Sequence, residues 1–176
     1  DMIKSAKSGK NLTIAYMTDP LGDAVYLLGQ KYGVKFNAVK AKGGKGVLNA
    51  LMAKDVDIGF IGGIQGKGVK SGDLINLASA EGARLTMSPD APTMKELGIP
   101  YTFGLTFILA APKGIPADAK ETITKAVLEL IQDKTSKTRK LIERIFGTPP
   151  LEYGSTLEMR VKNTIAANKE ILAKIQ

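Results

Sequence analysis

Short apolar runs alternate with amphipathic helical stretches through the first 80 residues, glycine-rich or capping turns follow the runs, and beyond Pro116 the apolar period becomes purely helical. Strand, helix, strand in that order predicts an α/β fold, its parallel strands joined by right-handed crossovers. The elements follow in chain order. Residues 1–9 read as the last turns of a helix with Met2, Ile3 and Ala6 on one face, closed by Gly9, so the chain reads as beginning inside a structural unit. Leu12–Met17 is a strand, and Thr18-Asp19-Pro20 is helix-start chemistry, with Asp19 expected to cap and Pro20 at the first helical position. The helix that follows puts Ala24, Val25, Leu28 and Tyr32 on one face and stops at Gly33.

Val34, Phe36 and Ala38 alternate with Lys35 and Asn37, which predicts a strand with one wet side or edge. Lys42-Gly43-Gly44-Lys45-Gly46 opens a helix over Val47–Lys54, with Val47, Leu48, Leu51 and Met52 facing a core. Asp57–Ile61 is a short buried strand that runs into Gly62-Gly63. A weaker helix over Ile64–Lys70 leads to a fourth strand over Leu74–Ala80. Pro92–Gly98 is a one-turn helix with a glycine stop, and Tyr101–Ala111 a long apolar strand closed by Pro112-Lys113-Gly114-Ile115-Pro116. Helices then cover Ala117–Asp133, Ser136–Phe146 up to Gly147, and a last stretch to the terminus, where Ser155-Thr156-Leu157-Glu158 has the form of a capping box.

Composition bounds the chemistry. The chain has 176 residues and neither Cys nor His, so it can build no disulfide, thiolate nucleophile, Ser-His-Asp triad, His general base or ordinary zinc site. Its 25 Lys plus Arg against 17 Asp plus Glu give a net charge of +8. The excess is spread evenly along the chain, Trp is absent and the five Tyr and five Phe are scattered, so the clustered basic and stacking surface of a nucleic-acid binder is missing. The longest apolar stretch, 107–111, is far short of a membrane span, and no signal peptide is apparent.

Three turns share one form, an apolar strand running into turn residues and then a helix: Met17–Asp23, Lys42–Gly46 and Gly62–Gly66. In a parallel sheet such turns gather at the carboxyl ends of the strands, where helix amides and positive dipole ends suit a carboxylate or phosphate. Lys42 and Lys45 add positive potential. The glycines are equally explained as aids to tight turns, and neither glycine run completes a nucleotide motif: 62–68 is one residue short for a phosphate loop and lacks its Ser or Thr, and Asn49 stands where a dinucleotide fingerprint needs glycine. A nucleotide- or phosphate-binding protein, or an enzyme using these turns, is the alternative reading. The carboxylate pairs Asp19/Asp23 and Asp55/Asp57 read as a helix start and a helix-end turn. No constellation of nucleophile, base and oxyanion donor can be assembled, so the chemistry is binding without turnover, with no cofactor and no metal.

Pro92-Thr93-Met94-Lys95-Glu96-Leu97-Gly98 resembles the Pro-Thr-x-x-Glu-x-Gly signature of the solute-binding receptors of tripartite tricarboxylate transporters, the Bug family. Lys42-Gly43-Gly44, Asp57-Ile58-Gly59-Phe60, Ala111–Pro116 and Phe146–Pro150 are similar to further family segments in the same order, so the resemblance covers nearly the whole chain. It implies a type II periplasmic-binding-protein fold: residues 1–101 as the α/β ligand-binding domain, and 102–176 as a crossover strand and helices completing a second domain whose N-terminal part is absent. It also implies a periplasmic receptor that is not an enzyme, with a small organic acid or amino acid as ligand, membrane transport subunits as partners and no nucleic acid. The ligand contacts it implies are Met17, Thr18, Asp19, Lys42, Gly43, Gly44, Gly62 and Gly63.

Two departures stand out. Asp19-Pro20 occupies a first turn that is commonly Ser or Gly in the family, and Lys40-Ala41 replaces Pro-Tyr before the Lys-Gly-Gly turn. An ionised Asp19 facing the cleft would repel a carboxylate, unless it points away as a cap or pairs with a ligand ammonium. With one cleft wall absent, weak or no binding is expected of this chain. The apolar faces of its C-terminal helices are expected to find each other in a homodimer or a rearranged packing.

Overall fold

The computed structural model describes residues 2–104, 108–146 and 151–175. By Cα proximity these fall into two compact units, Asp1–Gly104 with Glu152–Gln176, and Leu105–Leu151. The chain segment from Glu152 onward is thus grouped with the first hundred residues, because the last helix packs there.

In the first unit, helix α1 (Met2–Lys7) closes at Gly9, whose φ of 93° is open to glycine at no steric cost. Met2, Ile3 and Ala6 lie against the core, as their spacing predicts. Strand β1 (Thr13–Tyr16) follows, then α2 (Asp19–Tyr32), which buries Leu21, Ala24, Val25 and Leu28 and ends at Gly33 in the left-handed conformation. Edge strand β2 (Asn37–Lys40) is exposed at every residue, the wet edge read from its alternation, and Phe36 just before it is buried. Helix α3 (Gly43–Ala53) begins at the glycine run itself, four residues earlier than the apolar period alone suggests. Val47 is wholly buried, but Met52 is half exposed and does not face the core.

Strand β3 (Ile58–Gly59) is shorter than expected and only half-buried, and α4 (Gly66–Ser71) follows it. The sheet is parallel with order β2-β1-β3, so β1 is central and pairs Ile14 with both Ala38 and Ile58. Strand β1 and its neighbours bury Leu12 and Ile14 in one cluster with Leu21, Val25, Leu28, Phe36, Met94, Ile99 and Phe103. Lys10 and the Thr13 amide hold the Asp57 carboxylate at 3.1 and 2.9 Å, which lowers its pKa, the backbone bond contributing most.

The expected fourth strand does not form. Across 74–80 Ile75 and Leu77 are exposed and the bridge formed among the described residues is Ser79 to Thr93, because no described strand lies alongside to complete a ladder. Nor are 101–104 or 108–111 strands; Phe103 is tied to the body by its amide donating to Ala80 O at 2.8 Å, and residues 105–107 lie outside the described ones.

Pro92–Gly98 forms a hydrogen-bonded turn with the expected glycine stop but not the expected one-turn helix, and its signature has a physical basis. The Thr93 amide donates to Glu96 Oε2 at 2.6 Å and the Glu96 amide donates to Thr93 Oγ1 at 3.1 Å, the reciprocal bonds of a capping box. Gly98 (φ 79°) closes the turn, and Met94 and Ile99 on either side are buried. Arg84 grips the same carboxylate at 2.8 Å, so Glu96 stays ionised down to a pKa of about 2, with the Arg84 hydrogen bond the largest cause.

Helix α7 (Gly154–Ile175) lies against α2 and inserts Ile171, 3% exposed, into the core cluster. It starts at Gly154, so Ser155 is already inside its first turn and the expected capping box is not made. Near its other end Lys174 hydrogen-bonds the Tyr101 hydroxyl and, at 3.0 Å, Glu170.

The second unit holds α5 (Ala117–Gln132) and α6 (Lys137–Phe146), which starts where Ser136 Oγ accepts the Arg139 amide. Gly147, expected to end α6, lies outside the described residues. No residue of α5 is buried, and Ile123, Leu130 and Leu141 remain about half exposed.

Candidate functional site

Three parallel strands end on one edge, and each is followed by a turn into a helix. The turns converge at Gly44. A methyl group placed on Gly44 would lie 3.5 Å from Ile64 Cδ1 and 3.6 Å from Met17 Sδ, so side chains from the first and third turns both reach the start of α3. Gly44 is therefore where the second turn leaves room and the other two close over it. Met17 and Gly44 were legible in the sequence; Ile64, one residue past the glycine pair, was not.

The helix starts differ in what they offer. At α2 the N-cap is Thr18, without a side-chain capping bond, and its carbonyl accepts the amides of both Leu21 (3.0 Å) and Gly22 (3.2 Å). Pro20 sits at the second helical position and has no N–H. Little donor capacity is left there. At α3 the N-cap Lys42 also makes no side-chain bond, and Gly43 takes φ 68° with its amide donating to Ala41 O at 3.0 Å. The amides of Gly44 and Lys45 are those the first turn of a helix leaves without an intrahelical acceptor. The positive end of the α3 dipole adds to them.

Asp19 is not the cap the sequence suggested. Its carboxylate is exposed and accepts a hydrogen bond from Lys40 Nζ at 2.5 Å, bridging the start of α2 to the last residue of β2. Asp19 and Lys40 are the two departures noted in the sequence, and they are each other's partners. The pairing raises the Lys40 pKa, the hydrogen bond to Asp19 being the main cause. Asp23, four residues on, has a raised pKa from partial burial and then from the charge of Asp19. Lys42 and Lys45 are exposed and form no ion pair among the described residues.

In the third turn Gly62 and Gly63 are half-buried, Gly63 has φ 76°, and the Ile64 amide donates back to Gly62 O at 3.0 Å. Gln65 follows with 4% exposure. Its Nε2 donates to Asn76 Oδ1 over a long 3.4 Å, and its carbonyl Oε1 has no hydrogen-bond partner among the described residues. Exchanging the ends of both carboxamides would only turn the orphan acceptor into an orphan donor. Sequence reasoning passed over Gln65, since a polar residue in a glycine loop reads as exposed.

The described residues contain no group of three or more Asp or Glu able to hold a metal ion. None of their helices is long and apolar enough to cross a membrane.

The family model of the tripartite tricarboxylate transporter family receptor matches residues 20–133. A search of curated proteins found no match. Among solved structures, a TctC solute-binding protein from Polaromonas, crystallised without ligand, superposes with a TM-score of 0.71 at 21% identity. The alignment covers 98% of this chain and 60% of that protein, so the chain spans less than two-thirds of its length.

Proposed function

Because the chain belongs to the tripartite tricarboxylate transporter receptor family, we propose that it acts as the solute-capturing part of such a transporter: outside the cytoplasm it binds a small carboxylate-bearing metabolite and presents it to membrane transport subunits. The family is one of solute-binding receptors, not enzymes. The observation that carries the reading is the convergence of three strand-to-helix turns at Gly44, where Met17 and Ile64 approach within 3.6 Å of a position that holds no side chain. The open amides and positive dipole end of α3 supply what a carboxylate needs. Met17, Thr18, Asp19, Lys42, Gly43, Gly44, Gly62 and Gly63 are the contacts assigned in this proposal. The pairing of Asp19 with Lys40 supports it, since the repulsion expected from an isolated Asp19 is offset by a neighbouring ammonium.

The test is an amide-resolved NMR titration with di- and tricarboxylates, and with ATP as a control. Saturable shifts confined to residues 17–19, 42–46 and 62–65 are expected with carboxylates. Shifts with ATP alone, or carboxylate-induced shifts scattered over surface lysines, would overturn the proposal.

A further inference from the structure

We infer that an exposed basic stripe on α6 docks the chain on an anionic lipid surface. The inference goes beyond the capture of a solute, and the choice of a membrane as occupant rests on the receptor reading.

The positive excess that divides evenly between the two parts of the chain is concentrated within the second. Residues 134–144 carry five Lys or Arg and one Glu, whereas the other residues from 105 to the terminus carry seven of each sign. The acids at this place are engaged inside the unit. Glu143 accepts a hydrogen bond from Arg139 Nε at 2.7 Å, and Asp133, just before the run, accepts the amide and hydroxyl of Thr135 at 2.8 and 2.7 Å. The Asp133 pKa is lowered by those two Thr135 bonds first and by the charge of Lys140 last. Arg139 is turned inward, its side chain 15% exposed, with Nη1 also reaching Ile131 O. Four cations are left over: Lys134, Lys137, Lys140 and Arg144 are exposed and form no ion pair among the described residues.

Lys137, Lys140 and Arg144 follow one another at helical spacing, so they share one stripe of α6, and Lys134 extends the charge beyond its start. Leu141, 47% exposed, belongs to the same stripe. Cations on long flexible stems suit a surface of many interchangeable anionic headgroups, and an apolar side chain among them can enter the headgroup layer. A protein partner needs a desolvated core, from which lysine is depleted. Near an anionic bilayer each such cation strengthens adsorption about fivefold, which gives a weak, reversible hold that keeps the chain beside the membrane.

The experiment is cosedimentation of the chain with vesicles of phosphatidylglycerol and phosphatidylcholine, against phosphatidylcholine alone. Adsorption is expected on the anionic vesicles only. The triple variant Lys137→Gln, Lys140→Gln, Arg144→Gln should adsorb about a hundredfold more weakly, at about fivefold per cation. The control Lys4→Gln, Lys7→Gln, Lys35→Gln removes the same net charge from exposed positions of the other unit and should lose less than about fivefold. In the unsubstituted chain, a gadolinium-chelating headgroup lipid should broaden the amides of 134–144 first. Equal losses in the two variants, equal adsorption to phosphatidylcholine alone, or broadening centred elsewhere would overturn the inference. No adsorption at all would also overturn it and leave an acidic protein as the occupant of the stripe. The assay contains no solute, so its failure leaves the carboxylate titration of the receptor reading to stand or fall by itself.

Discussion

Gly43 and Gly44 are neighbours in one turn, yet alanine at the two positions should act in opposite directions. At Gly44 the backbone is ordinary helix and the added methyl meets Ile64 and Met17 at 3.5 and 3.6 Å, which is van der Waals contact without a clash. Alanine lowers the backbone entropy of the unfolded chain and has the better helix propensity, so Gly44→Ala should stabilise by about 0.5–1 kcal/mol. For a chain of this size that is a rise in Tm of about 1–4 °C. The same methyl fills the point where the three turns meet and lifts a ligand off the α3 amides. Carboxylate binding should therefore fall by at least about tenfold, the worth of one charge-assisted hydrogen bond. At Gly43 an added methyl meets nothing within 4 Å, but φ is 68°. The left-handed conformation costs alanine about 1–2 kcal/mol, so Gly43→Ala should be destabilised by about 1 kcal/mol after the unfolded-state gain is subtracted. Thermal melts of the two variants, paired with carboxylate titrations, measure all of this. A Gly44→Ala protein that melts lower than wild type, or that melts higher and binds unchanged, would refute the reasoning: the first denies the room at Gly44, the second its role.

Gly59→Ala should destabilise by about 1–3 kcal/mol in urea titration, since its methyl would lie 2.5 Å from Val47 Cγ1 and 2.9 Å from Leu51 Cδ1 in a packed layer; an unchanged midpoint would mean that β3 and α3 are not in contact. Glu96 has its folded pKa lowered from 4.5 to about 2 by Arg84 and Thr93, so its contribution is complete above the unfolded value and is lost as pH falls from about 4.5 through 2. Glu96→Gln should remove that part of the acid-denaturation slope and leave a flatter pH profile below about 4.5; an identical acid limb in the variant would count against the clamp. Ile171→Ala should lose about 2–5 kcal/mol, because a side chain only 3% exposed leaves a cavity between α7 and the core. Hydrogen exchange in that variant should deprotect α7 first, and uniform protection would show that the helix is held elsewhere.

Much of the local chemistry was legible, and the non-local chemistry was not. The helix after β1, its stop at Gly33 and the α1 terminus at Gly9 each depend on residues within one or two turns, and each forms as its sequence implies; the capping box at Thr93 and Glu96 is equally local but was not read, and the one expected at Ser155 does not form. Leu74–Ala80 and the described parts of 101–111 fail for a different reason: an apolar run only licenses a strand, while its existence depends on a neighbour that supplies a ladder. Among the described residues those segments find single bridges or none, so Ile75 and Leu109 stay in solvent.

Asp19 belongs to the same class of failure. Before a proline and a helix its local reading is a cap, and that reading is defeated by Lys40, 21 residues away in sequence and 2.5 Å away in space. The two positions looked like separate departures from the family pattern, one adding a negative charge at the cleft and one a positive charge. Joined, they are one exposed ion pair that bridges the start of α2 to the end of β2, which neither local reading contains.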